Sequence, residues 1–540
     1  MRKLSQPQSV NNMERTYQNA IALLNTRRRA SSQRWKDEQS ESTKKQAHSS
    51  NMLGVKGKPA LHGMGNWVEQ LGYSYKNVSL DIVHVAGTKG KGSTCAFASS
   101  FLQQRGRTSG FPEKIGLYTS PPLITTRERI QINATPISEQ LFTRYTFEVW
   151  ERLWYHASQT TDGLENMPRY RQFLMLLSLH VFVKEEVDIA VYETHSGGEY
   201  DCTNIIRPAV TGITTIGMDH VRALGPKIED IAWHKAGIFK PGVPAFSMEQ
   251  SPEVAAVLKN RATEKGTQLH FVDLDDRLPR EARALKFKVQ KKNASLAISL
   301  AETVLKKKLL ESDCRLSKTD IVKGVDHFSW PGRFHTVQDG NHQWYLDTAH
   351  NELSLKVATE WFAQSLATAQ KRYALYDCLI LEQKGFNAVR NVDTAAHPTR
   401  VLIFAHNSDR DKTALLRSVV DTLKLSNIQV QHHWQANHTW PHFLRFQLTV
   451  VDFYNTTQAK ISLDDLQELG QIWRQLDSTT HISLESTIEE ALLLAVTLAN
   501  PDYGLQAFIT GHDRLIGPAL SILEPSHQDL YLGERSGDHD

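Results

Sequence analysis

Residues 84–95 read HVAGTKGKGSTC, and their first three residues close an apolar run at 82–86 (IVHVA). A short β-rich run that stops at glycine and passes into small residues reads as strand, loop, helix. Bare backbone at Gly87, Gly90 and Gly92 lets N–H groups approach oxygens closely, and a helix start adds partial positive charge. Lys91 can neutralise outer phosphates, and the Ser93 hydroxyl can join a Mg²⁺ shell. The stretch therefore reads as a phosphate cradle made of Gly87, Thr88, Gly90, Lys91, Gly92, Ser93 and Thr94. Its spacing departs from G-x-x-x-x-G-K-[ST]. Val85 stands where the first glycine falls, and Gly92 separates Lys91 from Ser93. The plain alternative is a flexible glycine turn; the strand before and the helix after favour phosphate.

Around this loop the chain alternates short β-rich runs with longer helical ones. Strands are expected at 82–86, 188–193, 210–216 and 244–248, and helices at 94–104, 138–156 and 170–184. Such alternation argues for an α/β fold with a parallel sheet covered on both faces. Near Trp330-Pro331-Gly332-Arg333 the pattern breaks and restarts, with strands expected at 343–346, 401–404 and 506–510 and a helix at 353–362. Three regions follow: 1–60, a helix at 17–26 and a polar, flexible stretch; 61–328, a P-loop ATP-binding domain; and 329–540, a Rossmann-like α/β domain.

At 540 residues the chain is too long for one ordinary core. With 40% hydrophobic and 22% charged residues it has the balance of a soluble globular protein. A net charge of +3 gives no reason to expect a nucleic-acid or membrane partner. The longest apolar stretch, 173–183, is short for a membrane span and reads as a buried helix. Four scattered cysteines point to a reducing, cytoplasmic location. The first residues, MRKLSQPQSVNNM, carry two cations and no acid, which leaves a mitochondrial leader with a second start at Met13 as a further expectation.

Several residues stand where ligands of parallel sheets bind. Glu193 ends an apolar run, a place suited to Mg²⁺ beside a P-loop. His220 follows Asp219 after another apolar run, and although a lone histidine is more often structural than a ligand, its place at the end of the run suits a second metal ligand. Lys235, in AWHKAGI, has apolar neighbours that would bury it and depress its pKa. Arg333 sits at the inferred hinge, where a guanidinium can fork two phosphate oxygens. Asn293 opens a helical run and reads as an N-cap. Asp347 and His350 follow a strand.

GTKGKGS resembles the loop of the Mur ligase superfamily, and within it the folylpolyglutamate synthases. Further blocks recur in that family's order: TSPPLITTRERIQIN (119–133), GGEYDCTNI (197–205), GMDH (217–220), IAWHKAGIFKPGVPAF (231–246), WPGRF (330–334) and LDTAHN (346–351). SDRDKTALL (408–416) and FITGHDRLIG (508–517) extend it more weakly. The resemblance implies an ATP-dependent ligase adding L-glutamate to a reduced folate through an acyl phosphate, with ATP and Mg²⁺, and a monovalent cation such as K⁺ besides. It implies metal ligation by Ser93, Ser120, Glu193 and His220. It implies a carbamylated Lys235, adenine contact by Asn293, and nucleotide contacts from Arg333, Asp347 and His350 across an interdomain cleft. Lys91, Lys235, Arg333 and His350 would serve catalysis. Folate would lie near 119–133, where Arg127, Glu128 and Arg129 offer charge or merely form a solvated turn. A monomer is expected.

Three departures bear on the acceptor. The family's SPHL is Ser120-Pro121-Pro122-Leu123, its EVGIGG is Glu193-Thr194-His195-Ser196-Gly197-Gly198, and its TGSLHL is Thr510-Gly511-His512-Asp513-Arg514-Leu515. His195 is either a substitute polar group or a filled surface position. Dihydrofolate synthase, a paralogue with an altered acceptor, and a non-catalytic nucleotide-binding regulator remain the competing readings.

Overall fold

The computed structural model describes residues 13–28, 60–74, 80–161, 163–309, 314–383, 398–406, 411–426, 445–449, 463–476, 481–485 and 487–525. These fall into two compact units that part between Ser329 and Trp330. The breaks at 29–59 and 427–444, which include most of the polar stretch and the His-rich run at 430–442, lie outside the described residues.

In the first unit, β-branched and aromatic runs bounded by glycine and polar residues make eight strands. They are β1 (Asp81–Ala86), β2 (Ile115–Tyr118), β3 (Ile130–Ile132), β4 (Thr135–Pro136), β5 (Ile189–Glu193), β6 (Val210–Ile213), β7 (Ala245–Met248) and β8 (Leu269–Val272). Their order is β4-β3-β2-β5-β1-β6-β7-β8. Pairing is parallel from β2 to β8. The β3–β4 edge adds an antiparallel hairpin that the alternation pattern did not announce. Its two-residue turn, Asn133-Ala134, has φ of 51° and 62°, the left-handed pair that a tight hairpin demands.

The helix Lys91–Ser109 packs against the helices Lys288–Leu305 and Lys318–Asp326. Gly324 permits the close approach, because a Cβ there would stand 2.4 Å from Phe101 Cδ1. Phe97 stacks on Phe328 at 3.7 Å between centroids. Tyr170–Lys184 is buried from Gln172 to Phe182. No helix among the described residues is long and apolar enough to cross a membrane. The helix Tyr17–Thr26 buries Ala20, Leu23 and Leu24 in the same core, each leucine contributing about 1.5–3 kcal/mol. Arg27 fixes its end by donating to the Pro168, Leu164 and Met167 carbonyls.

The second unit holds β9 (His335–Asp339), β10 (His342–Leu346), β11 (Thr399–Phe404), β12 (Arg445–Thr449), β13 (His481–Glu485) and β14 (Leu505–Thr510). Their order is β13-β12-β11-β14-β10-β9, with only β9 antiparallel. The C-terminal ends of β10, β11 and β14 thus lie side by side, the edge where open α/β sheets take ligands. Gly511 (φ 107°) closes that edge. Its N–H donates to Ala349 O, and a Cβ would stand 2.3 Å from Ala405 O. The helix expected at 353–362 runs much further, as Glu352–Gln383.

Candidate active site

β1 ends at Ala86 and the chain turns through Gly87 at φ 150°, where a Cβ would lie 1.8 Å from Thr214 Oγ1. Only glycine fits there. The loop is stitched to the segment after β6. Thr88 and Lys89 N–H both donate to Thr215 O, Thr88 Oγ1 donates to Gly217 O, and Gly217 N–H donates back to Thr88 Oγ1. Gly90, at φ 89°, precedes the helix without any side-chain cap. The first-turn amides are therefore left to an anion. The helix starts at Lys91 rather than at residue 94, so Lys91, Gly92, Ser93 and Thr94 form its first turn. Ser93 and Thr94 are buried, and Thr94 Oγ1 has no hydrogen-bond partner.

Glu193 ends β5, level with Val85 of β1. Its Oε2 accepts from Thr119 Oγ1 at 2.5 Å and from Ser120 N–H at 3.1 Å, while Oε1 lies 3.7 Å from Lys91 Nζ. Serine hydroxyls and a carboxylate are hard oxygen donors of the kind Mg²⁺ takes. Ser93, Ser120 and Glu193 thus fit the metal by chemistry. Thr119, which aims the carboxylate, was not singled out in the sequence.

Two expectations change. His220 does not end a strand: β6 stops at Ile213, and His220 is an exposed residue at φ 52° before a short helix. It still follows the phosphate loop, since Asp219 accepts its N–H and pairs with Lys89 at 3.5 Å. Asn293 is no N-cap. It lies inside the helix Lys288–Leu305, fully buried, because the helix begins five residues earlier with Phe287 as its cap. Its Nδ2 donates to Gln290 and its Oδ1 has no partner. That Oδ1 would lie 2.4 Å from a Cβ on Gly90, so Asn293 faces the phosphate loop.

Lys235 ends the helix Ile228–Lys235 with its side chain in the interior. Its Nζ donates to Gly87 O at 2.7 Å. Burial holds this amine well below the usual lysine range, and the nearby Lys91 charge lowers it further.

Arg127, Glu128 and Arg129 do not form a solvated turn; all three are buried. Glu128 folds the loop on itself by accepting the Leu123, Ile124 and Thr125 N–H groups. Arg127 Nη1 donates to Ile137 O. Arg129 Nε and Nη1 have no hydrogen-bond partner. His195 is no filled surface position either, its side chain being 5% exposed and bonded on both ring nitrogens.

In the second unit Asp347 follows β10 and shapes the chain. Its oxygens accept from Phe334 and Ala349 N–H, both at 2.9 Å, which fixes the backbone on either side. Arg333 Nη1 donates to Gly332 O. His350 Nδ1 donates to Thr348 O, so Nδ1 carries the proton. Burial pushes the Asp513 carboxyl up, but the His512 hydrogen bond and the charges of His512, His350 and Arg333 outweigh it and hold the group below the usual carboxylate range. Asp513, from the divergent TGHDRL segment, thereby shares an electrostatic neighbourhood with Arg333 and His350.

No protein-family model matches the chain. The folylpolyglutamate synthase of Neurospora crassa is 40% identical over 482 residues, which is 85% of each chain. The probable folylpolyglutamate synthase of Schizosaccharomyces pombe is 34% identical over 474 residues, 85% of this chain and 87% of that one. The ADP complex of the Mycobacterium tuberculosis folylpolyglutamate synthase superposes with a TM-score of 0.64 at 20% identity, covering 94% of this chain and 98% of that one. At these identities and over this length, the chain belongs to the folylpolyglutamate synthase family.

Proposed function

We propose that the protein joins L-glutamate to the γ-carboxylate of a folate, at the expense of ATP. The observation that carries this reading is the meeting, within the first unit, of an uncapped glycine loop at a helix start, a carboxylate 3.7 Å from Lys91, and a buried lysine bonded to the same loop at Gly87.

A carboxylate oxygen of folate attacks the terminal phosphorus of ATP, the bond to the ADP oxygen breaks, and an acyl phosphate forms. The glutamate amine then attacks the acyl carbon, phosphate leaves, and the amine proton passes to solvent or phosphate. The enzyme's problem is electrostatic, because anions must meet and charge builds on the transferring oxygens. First-turn amides and Lys91 meet the phosphates. Thr119 and Ser120 N–H hold the Glu193 carboxylate in one orientation. Ser93, Ser120, Glu193 and His220 would hold magnesium, which when bound would supply positive charge to offset that of the phosphates. Arg129, buried with guanidinium N–H groups to spare, suits a polar group of the acceptor. The amine needs orientation more than a general base.

Purified protein with MgATP, tetrahydrofolate and labelled glutamate should yield products that grow by successive glutamyl units. Product from dihydropteroate alone would make it a dihydrofolate synthase. Nucleotide binding with no product from either acceptor would favour a regulator.

A further inference from the structure

His195 stands where the family pattern has glycine, two residues past Glu193. Its ring is not idle. Nε2 lies 2.9 Å from the Tyr118 hydroxyl and Nδ1 lies 3.2 Å from Asp201 Oδ1. A carboxylate only accepts, so Nδ1 carries the proton and the tyrosine hydroxyl donates to Nε2. Asp201 Oδ2 also accepts the His195 and Ser196 N–H groups.

Tyr118 ends β2 and Thr119 follows it. Thr119 Oγ1 donates to Glu193, and Ser120 N–H donates to the same oxygen. A closed ring results: Tyr118 to Thr119 by the chain, Thr119 to Glu193 by a hydrogen bond, Glu193 to His195 by the chain, and His195 back to Tyr118 by a hydrogen bond. The segment after His195 reaches the second element of the site. Glu199 N–H donates to His234 O, and Gly198 lies so close to the helix end that a Cβ would stand 2.5 Å from His234 O and 2.7 Å from Lys235 O.

We propose that His195 is a positioning residue for Glu193. By tying the end of β2 to the loop after β5, it keeps the Thr119 hydroxyl and Ser120 N–H aimed at the carboxylate that would hold magnesium. The inference rests on the metal-ligand reading of Glu193 given above. Partners that orient a ligand ordinarily set about tenfold or more of a metal site's affinity.

The test compares His195→Gly, His195→Gln and Tyr118→Phe. Each is titrated with Mn²⁺ in the presence of a non-hydrolysable ATP analogue, by electron paramagnetic resonance, and assayed for the Mg²⁺ concentration that half-saturates turnover. His195→Gly and Tyr118→Phe should weaken metal binding about tenfold. His195→Gln, whose amide can reach the Tyr118 hydroxyl, should recover most of it. Tyr118→Phe removes one hydroxyl only and asks the question even if the glycine variant fails to fold. Unchanged metal affinity in Tyr118→Phe overturns the proposal, whatever happens to thermal stability. Glu193→Gln separates the two ideas. Lost metal binding there with wild-type binding in Tyr118→Phe removes only the His195 role, whereas retained binding in Glu193→Gln removes both.

Discussion

Lys91 stands 3.7 Å from Glu193 Oε1, a cation beside the carboxylate assigned to magnesium. Its removal takes away charge where the phosphoryl group moves, so Lys91→Ala should lower kcat by about a hundredfold or more with an unchanged circular-dichroism spectrum. Gly90→Ala asks a different question. The new Cβ would press on Asn293 Oδ1 at 2.4 Å while the backbone holds φ 89°, a strain of about 1–3 kcal/mol. Weakened nucleotide binding is expected in calorimetric titration, more than any loss in folate binding. His84 gives the fold a pH limit. Burial drops its imidazole from 6.5 to about 3. The unfolded chain therefore binds the extra proton first. The stability this group contributes is complete above pH 6.5 and is lost as pH falls towards about 3, at up to about 1.4 kcal/mol per pH unit. Denaturant midpoints measured from pH 7 to 4 should show that slope, and His84→Gln should flatten it.

At the scale of elements, the loop 194–201 joins both halves of the first unit's site. It leaves β5 at Glu193 and docks on the helix that ends at Lys235. Gly198→Ala would force a methyl group into the His234 and Lys235 carbonyls, an overpacking that costs about 1–3 kcal/mol of stability, so both the melting temperature and kcat should fall. The sequence announced β1, β5 and the helix Tyr170–Lys184 well, since long apolar runs between polar breaks leave few choices. It misplaced the start of the helix after the phosphate loop, because glycines at 90 and 92 read as coil, whereas only Gly90 stays outside the helix, left-handed, and the backbone is helical from Lys91 on. It also read Asn293 as a cap, although what matters there is tertiary, a buried carbonyl oxygen opposite Gly90. The RER segment looked solvated because three consecutive charges usually are. Burial became possible only when Glu128 spent its oxygens on three backbone N–H groups of its own loop.

At the scale of the molecule, motif order was legible and side-chain wiring was not. Lys91, Glu193 and Lys235 are far apart in sequence, and the parallel sheet with its flanking helices brings them together around the phosphate loop. The Thr119–Glu193 and His195–Tyr118 bonds depend on strand register, which no single motif displays. A ligand bound only by the folded state stabilises it by mass action. MgADP at a hundred times its Kd should therefore raise unfolding free energy by about 2.7 kcal/mol, and Lys91→Ala should lose most of that gain. Heavy-oxygen labelling of the folate γ-carboxylate distinguishes carboxylate activation by phosphoryl transfer from any route that leaves the carboxylate oxygens in place. With MgATP and L-glutamate, one labelled oxygen should appear in inorganic phosphate for each peptide bond formed; phosphate released without label, alongside glutamylated folate, would contradict it.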